Sequence, residues 1–291
     1  MIDLHTHTDE SDGTSRPAEL VDAALALGLE ALGITDHDTL AGYDQAVPFA
    51  REKGLDLVCG IELSTKRRRA GEVLGRSIHI LGYFLGAPAP AEFRSWLEGI
   101  RLARRDRNRR LAERLRSLGM DIAIEEVERL GRSQAGRPHF ARVMLDKGYV
   151  ANVQEAFDLY LDESAKAYVE RDEPALDAGI RKVREAGGVA ALAHPVRLSR
   201  RNPAAFEKDL AEMCDMGLSA IEAYHSDHRQ VDTEFFLALA RRYNLAVTGG
   251  TDFHGDNKPG LLLGTGYGNV AVPRQVLDEL RRQKDEIVRG T

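Results

Sequence analysis

Residues 1–17 read MIDLHTHTDESDGTSRP. They contain a short predicted strand, histidines at its end and the start of a helix, an arrangement that other parts of the chain also show. A short apolar run, Ile2 to Leu4, is typical of a buried strand and ends at two histidines, His5 and His7. If the extended conformation continues, both rings point to the same face and can hold one divalent ion, although an isolated pair of this kind is also common on protein surfaces. The turn that follows leads into a helical pattern, with Ser15 as the predicted N-cap and Pro17 near its first position.

Short β-type runs alternate with helical patterns outward from this stretch. In the first part they are predicted strands at 31–35 and 55–59 and helices at 17–27 and 43–53. The alternation resumes after residue 174, where helical patterns precede the runs VAALAH, SAIEAY and LAVTGG. Such alternation predicts an α/β fold with a parallel sheet, either a closed barrel or a doubly wound sheet.

A different pattern occupies the middle of the chain. Strand signals disappear between Pro88 and Asp162, and a long helix is predicted from Ala91 to Leu118, ended by Gly119. We therefore expect one barrel built from residues 1–87 and 163–291, with residues 88–162 as an inserted helical subdomain.

Composition limits the possible classes of protein. With 43% apolar and 30% charged residues among 291, the chain is typical of a globular protein with a sizeable core. Two cysteines without CxxC spacing, Cys59 and Cys214, suggest core thiols in a reducing compartment. The start of the chain lacks a signal-peptide pattern, and no apolar run reaches membrane-spanning length, so we expect a cytoplasmic protein. A net charge of -6 argues against stable binding of duplex nucleic acid.

Residues that commonly bind metals recur in or at the ends of later predicted strands. They are His37, Glu62, His79, His194, Asp252 and His254. Because functional groups gather at the carboxyl edge of parallel strands, we expect them to share one site with His5 and His7. Nitrogen and carboxylate ligands without thiolate suit Mn, Fe or Zn, and two or three such ions can turn water into hydroxide for attack on the phosphorus of a phosphate ester.

In order and spacing, the motifs DLHTHTDESDGTSRP, ITDHD, GIELS, IHILGYF, ALAHP and GGTDFH resemble the PHP (polymerase and histidinol phosphatase) family. The resemblance implies a metal-dependent phosphoesterase with a distorted (β/α)7 barrel and a trinuclear metal centre. It assigns His5, His7, Glu62 and Asp252 to one ion and Glu62, His79 and His194 to a second. The third ion would be held by Asp12, His37 and His254, and Asp12 is identified by the resemblance alone.

The segment GRPHFAR, residues 136–142, narrows the resemblance to a branch that contains 3',5'-nucleotide bisphosphate phosphatases and a 5'-to-3' exoribonuclease of short RNA. Arg137, His139 and Arg197 are the expected phosphate-binding residues, because arginine pairs with phosphate oxygens two at a time. By resemblance, His228 faces the substrate, and we expect it to act as general acid.

Two basic segments add further candidates. A helix face with i, i+3 and i+4 spacing brings together Arg101, Arg104 and Asn108 as possible substrate ligands. The run Lys66 to Arg69 is either a solvated hairpin tip or a loop that gathers substrate.

The expected substrate is a small phosphorylated compound, a nucleotide or short oligonucleotide. The alternatives are a phosphatase of small esters such as histidinol phosphate and a metal-binding domain without catalysis.

Overall fold

The computed structural model describes residues 1–67, 76–131, 134–199 and 202–289. Its strands are β1 (Ile2–Thr6), β2 (Ala31–Ile34), β3 (Asp56–Arg67), β4 (Arg76–Phe84), β5 (Val189–Leu192), β6 (Ala220–His225) and β7 (Ala246–Gly250). The helices before β5 are α1 (Pro17–Ala26), α2 (Ala41–Lys53), α3 (Ala91–Ser117), α4 (Ile124–Gly131), α5 (Arg137–Asp146), α6 (Val153–Ala156) and α7 (Leu176–Glu185). Those after it are α8 (Val196–Ser199), α9 (Pro203–Asp215), α10 (Gln230–Arg242) and α11 (Arg274–Arg289). A π-helical turn, Phe157–Leu161, follows α6.

The seven strands form one sheet in the order of the chain, from β1 to β7. Neighbouring strands are parallel except at β4, which is antiparallel to both β3 and β5. The expectation of a parallel sheet is therefore wrong at β4. Because β4 runs in the opposite direction to its neighbours, the residue that reaches the site, His79, lies in the first half of this strand. Glu62 lies in the middle of the long β3.

Gly250 closes the sheet into a barrel by letting β7 approach β1. A Cβ at this position would lie 2.3 Å from the backbone nitrogen of His5. Just beyond it, the Asp252 amide donates to the His5 carbonyl at 2.8 Å, and the His7 amide donates to the Phe253 carbonyl at 2.9 Å. The result is the nearly closed, distorted (β/α)7 barrel expected from the sequence.

The helical ends differ from the expectation at one cap. Arg16, not Ser15, is the N-cap of α1, and its amide donates to the Glu19 carboxylate at 3.0 Å. Pro17 occupies the first helical turn as expected. At this end of α1 the Glu19 carboxylate thus accepts from the Arg16 amide, whereas the sequence predicted a cap by the Ser15 hydroxyl.

Helix α3 belongs to two hydrophobic cores. Phe93 and Leu97 pack into the large cluster between the barrel and its surrounding helices. Leu111 and Leu115 pack with α4, α5 and the residues after them, in a cluster that extends to Ala167. The boundary predicted at residue 162 remains a prediction, and the insertion's apolar contacts continue a few residues beyond it.

None of the helices within the described ranges is both long and apolar enough to cross a membrane.

The basic run begins inside the sheet. Lys66 and Arg67 belong to β3, where Lys66 donates to Glu170 at 2.7 Å and Arg67 lies 3.2 Å from Asp209. The hairpin-tip interpretation is therefore wrong for these two residues, because their charges are paired against neighbouring segments. Arg68 and Arg69 lie outside the described residues.

Candidate active site

Glu62 is the centre of a histidine cluster. Its side chain is 1% exposed. One carboxylate oxygen, Oε1, lies 2.7 Å from Nδ1 of His79 and 2.9 Å from Nε2 of His194. The distances from Oε2 are 3.1 Å to Nε2 of His7, 3.2 Å to Nδ1 of His37 and 3.3 Å to Nε2 of His5. Five rings from four different parts of the chain thus converge on one carboxylate.

Two aspartates extend this cluster. Asp12 Oδ1 lies 3.2 Å from Nε2 of His254, and its Oδ2 lies 3.7 Å from Nε2 of His37. Asp252 Oδ1 lies 3.3 Å from Nε2 of His7. All nine predicted metal ligands therefore meet in one place, and Asp12, which spacing alone did not reveal, is among them.

Several sets of potential ligand atoms lie within 4.8 Å of one another. They include His5, His7, Glu62 and Asp252; His7, Asp12, His37 and His254; and His37, Glu62 and His79. Nε2 of His7 and Nδ1 of His37 are buried without a hydrogen-bond partner. Unpaired imidazole nitrogens beside carboxylate oxygens form a donor set that fits divalent cations.

The electrostatics of the cluster favour bound cations. Burial lowers the pKa of His194 to about 3 and that of His37 to about 4, so both rings are neutral at pH 7 and keep a lone pair for an ion. Burial opposes the charge of Glu62, but His37 and other histidines hold the pKa of this carboxyl well below its usual range. Against the effect of burial, Asp252 and Glu62 raise the pKa of His7 to about 9. Ionised carboxylates at this depth require positive charge nearby.

Strained backbone surrounds the site. Asp38, His194 and Asp252 have φ angles of 54°, 30° and 58°, which are unusual for residues other than glycine. Each follows the end of a strand, so each strained residue turns the chain where a side chain enters the site. Strain of this kind persists only where the surrounding structure imposes it, and it concentrates at functional sites.

A cavity of about 210 Å³ opens beside the cluster and is lined by Asp12, His37 and His79 on one side. Most of the remaining lining comes from the insertion and from the segment after it, and it contains more basic residues than the two acidic ones, Glu163 and Glu173. The basic residues that line it are Lys66, Arg104, Arg107, Arg137, His139 and Arg171.

Three of the predicted substrate residues line this cavity. They are Arg104, Arg137 and His139. Arg137 donates to the Leu161 carbonyl at 3.3 Å, which ties it to the π-helical turn. His139 Nδ1 accepts the Gly136 amide at 3.0 Å, so in the neutral ring the proton is on Nε2 and can be donated to a ligand.

Two other predicted substrate residues do not line the cavity. Arg101 instead donates to Glu98 at 2.7 Å near the surface, and the Asn108 amide donates to the Ala135 carbonyl at 2.7 Å. Of this i, i+3, i+4 face, only Arg104 lines the cavity, and the substrate role of the three residues stays a prediction.

Arg197 and His228 also differ from expectation. Arg197 lies 2.9 Å from carboxylate oxygens of both Asp227 and Asp252, so its guanidinium is paired with these two acids, and it does not line the cavity. His228 is 3% exposed, and its Nδ1 lies 2.8 Å from the Ala223 carbonyl oxygen. Its ring packs on Phe236 with centroids 4.8 Å apart, which places it in the wall of the barrel, and it is absent from the cavity lining.

Sequence reasoning missed two basic residues of the cavity, Arg107 and Arg171, and one acidic residue behind the histidines, whereas Lys66 belongs to the run that was considered as a loop that gathers substrate. Arg107 lies three residues after Arg104, a spacing that could have revealed it. Arg171 gave no such signal, because it comes from an extended segment that meets the other cavity residues only in the fold. Glu222 lies inside the apolar strand β6, and its contacts with His5 and His194 form only in the fold.

Arg107 differs from the other arginines of the cavity. It is 4% exposed, and within the described part of the chain it forms no ion pair. Its Nε has no hydrogen-bond partner. Burial, together with Arg171 and Arg104, lowers the pKa of this guanidinium well below its usual range. A buried cation without an ion-pair partner is costly, and an anion bound beside it would reduce that cost.

Comparisons with known proteins agree with this geometry. The PHP domain model matches residues 3–170. The chain is 31% identical to a 5'-3' exoribonuclease of Haemophilus influenzae, over 87% of this chain and 89% of the relative. It is 30% identical to a 3',5'-nucleoside bisphosphate phosphatase of Chromobacterium violaceum, over 89% of each chain. A crystal structure from Bifidobacterium adolescentis, assigned as a metal-dependent phosphoesterase, superposes with a TM-score of 0.80 at 32% identity, covering 97% of this chain and 96% of the other.

Proposed function

Because the chain belongs to the PHP family and is a phosphoester hydrolase of that metal-dependent type, we propose that it acts on nucleotides. The proposed reactions are removal of the 3'-phosphate from nucleoside 3',5'-bisphosphates and release of 5'-nucleotides from short RNA. The named activities of the exoribonuclease and the bisphosphate phosphatase support this choice.

Arg107 is the observation that carries the proposal. A phosphate held beside Asp12, His37 and His79 leaves the rest of the cavity free, and its lining contains the buried guanidinium of Arg107, which forms no ion pair with a described residue and whose charge is favoured only by the more distant Glu173. A second phosphate on the same substrate would supply the missing anion. Histidinol phosphate has only one phosphate and would leave Arg107 unpaired.

The nine clustered residues fit two or three divalent ions, with Mn, Fe or Zn as the candidates. We assign the ions to the sets named above: His5, His7, Glu62 and Asp252; Glu62, His79 and His194; and Asp12, His37 and His254. When bound, such ions activate water and neutralise charge on the phosphate. Glu62, both of whose carboxylate oxygens face histidines, would be shared by the first two of these sets.

The chain's own residues then hold and orient the substrate. Arg137 and His139 present donors from α5 to outer phosphate oxygens, and Arg104 adds a charge from α3. Arg104 forms an ion pair with the buried Asp38, and Arg171 lies 3.3 Å from the same carboxylate, so both guanidinium groups are fixed before substrate enters. Fixed donors lose little freedom on binding and can favour the more highly charged transition state.

A panel of phosphate esters tests the proposal. The metal-reconstituted protein would be assayed with and without chelator on adenosine 3',5'-bisphosphate, a 5'-phosphorylated RNA trimer and histidinol phosphate. We expect chelator-sensitive hydrolysis of the first, the second or both, and slower hydrolysis of histidinol phosphate. Preference for histidinol phosphate would favour the small-ester alternative, and ion binding without turnover of any ester would favour the non-catalytic one.

A further inference from the structure

We propose that Glu222 is a positioning residue that fixes two metal-binding histidines at once, His5 and His194. The inference rests on the proposed assignment of these histidines as ligands. Glu222 lies in β6 and is fully buried. Its Oε1 lies 2.8 Å from Nδ1 of His5, and its Oε2 accepts the backbone N–H of His194 at 2.6 Å.

The first contact determines which nitrogen of His5 can bind a metal. A neutral imidazole carries its proton on one nitrogen only. If Nδ1 donates to Glu222, Nε2 keeps its lone pair, and Nε2 faces the cluster at 3.3 Å from Glu62 and 3.4 Å from Asp252. Carboxylates that hold the second ring nitrogen of a histidine in this way orient metal ligands in many proteins.

The second contact stabilises a strained backbone. His194 has a φ of 30°, a conformation that is strained in a residue other than glycine. The bond from its amide to Glu222 holds the peptide in the orientation that directs the ring into the cluster. There, Nε2 of His194 lies 2.9 Å from Oε1 of Glu62.

Glu222 therefore couples two ion positions. His5 belongs to the proposed first set of ligands and His194 to the second. Only a carboxylate can accept from both neighbours, because a glutamine amide has one oxygen that accepts and one nitrogen that donates. In Glu222→Gln, a nitrogen donor would face either the His5 ring or the His194 amide.

The test compares Glu222→Gln with Thr248→Val. Thr248 is the register partner of Glu222 on β7, is equally buried and donates to the Tyr83 hydroxyl at 2.9 Å. Both variants and the unmodified protein would be loaded with Mn²⁺, and the ions per chain and the rate of their loss to EDTA would be measured. We expect about 10- to 100-fold faster loss or weaker binding in Glu222→Gln, with Thr248→Val close to the unmodified protein.

The outcomes separate this inference from the proposed function. If the unmodified protein takes up no Mn²⁺ or Zn²⁺, the proposed function fails and the inference fails with it. If the unmodified protein binds ions and Glu222→Gln keeps them equally well, only the inference is overturned.

A measurement on the unmodified protein covers the case in which Glu222→Gln does not fold. Nitrogen-15 spectra of the histidine rings in the Zn²⁺-loaded protein should show His5 protonated at Nδ1. Protonation at Nε2, or a deprotonated Nδ1, would overturn the inference without any variant at this position.

Discussion

Two buried arginines on the same face of α3 differ in one respect that determines what each does. Arg104 forms an ion pair with the buried Asp38, whereas Arg107, three residues later, forms no ion pair with any described residue. Both line the same cavity. Arg104 is therefore held by the fold before any ligand binds, whereas the charge of Arg107 is the one that we propose a ligand neutralises.

Opposite stability changes should follow when each is replaced by methionine. Arg107→Met removes an unpaired buried charge, so the melting temperature should rise by a few degrees, since about 1 kcal/mol corresponds to roughly 2–4 °C in a chain of this size. Arg104→Met leaves Asp38 with a weaker set of partners and should destabilise the fold by about 3–5 kcal/mol. Calorimetry measures both changes, and a lower melting temperature for Arg107→Met would contradict the unpaired state of its guanidinium.

The same variant should separate substrates with one and two phosphates. Losing a charge-assisted hydrogen bond costs about 1.5–3 kcal/mol, so Arg107→Met should raise KM for adenosine 3',5'-bisphosphate by roughly tenfold or more. KM for adenosine 3'-monophosphate should change little. Equal effects on the two substrates would place the second phosphate elsewhere.

Replacing Arg137 tests the proposed phosphate-binding side of the cavity without changing a proposed metal ligand. Arg137→Ala should lower kcat/KM for nucleotides by about 1–3 kcal/mol in transition-state terms, without changing metal content. Arg142, on the same helix, is exposed and lies 3.0 Å from Asp146, so Arg142→Ala is the matched control. Loss of metal in Arg137→Ala would assign the residue to the metal shell, and unchanged kinetics would remove it from the substrate site.

At the scale of elements, the sequence predicted the helix limits that local residues mark. Helices α1 and α3 begin and end within one or two residues of their predicted limits, because proline and glycine mark those ends. The direction of β4 could not be predicted, since an apolar run looks the same in a parallel and an antiparallel strand. Arg171 and Glu222 were missed for a related reason: their partners are distant in sequence, and only the fold brings them together.

The approach of β7 to β1 gives an element-scale prediction. Gly250→Ala places a methyl group against the His5 backbone and should destabilise the protein by about 1–3 kcal/mol. It should also weaken metal binding, because His5 and Asp252 flank the contact. Gly99 in α3 has open space around its Cβ position, so Gly99→Ala should be neutral or stabilising by up to about 1 kcal/mol. Denaturant unfolding of both variants checks the contrast, and a neutral Gly250→Ala would show that the strands can separate without cost.

Over the whole molecule, the ligand residues come from both ends of the chain and from most strands between them. Residues 5–12 and 252–254 meet where β7 approaches β1. Glu62 also contacts His79 of β4 and His194, which follows β5. Bound ions would thus cross-link segments that the unfolded chain keeps far apart. Without ions, ionised carboxylates and histidine rings remain crowded in a buried space.

Removal of the metals should therefore destabilise the entire barrel. An ion present at 100 times its dissociation constant stabilises the folded state by about 2.7 kcal/mol per site, so loss of one ion should lower the melting temperature by roughly 5–10 °C. Calorimetry with EDTA, followed by return of Mn²⁺ or Zn²⁺, measures the loss and its recovery. Glu62→Ala, which lacks the carboxylate shared by two ligand sets, should show a much smaller response to EDTA. A melting temperature that is the same with ions and with EDTA would mean that the cluster holds no stabilising metal, and it would remove the basis for metal-dependent hydrolysis at this site.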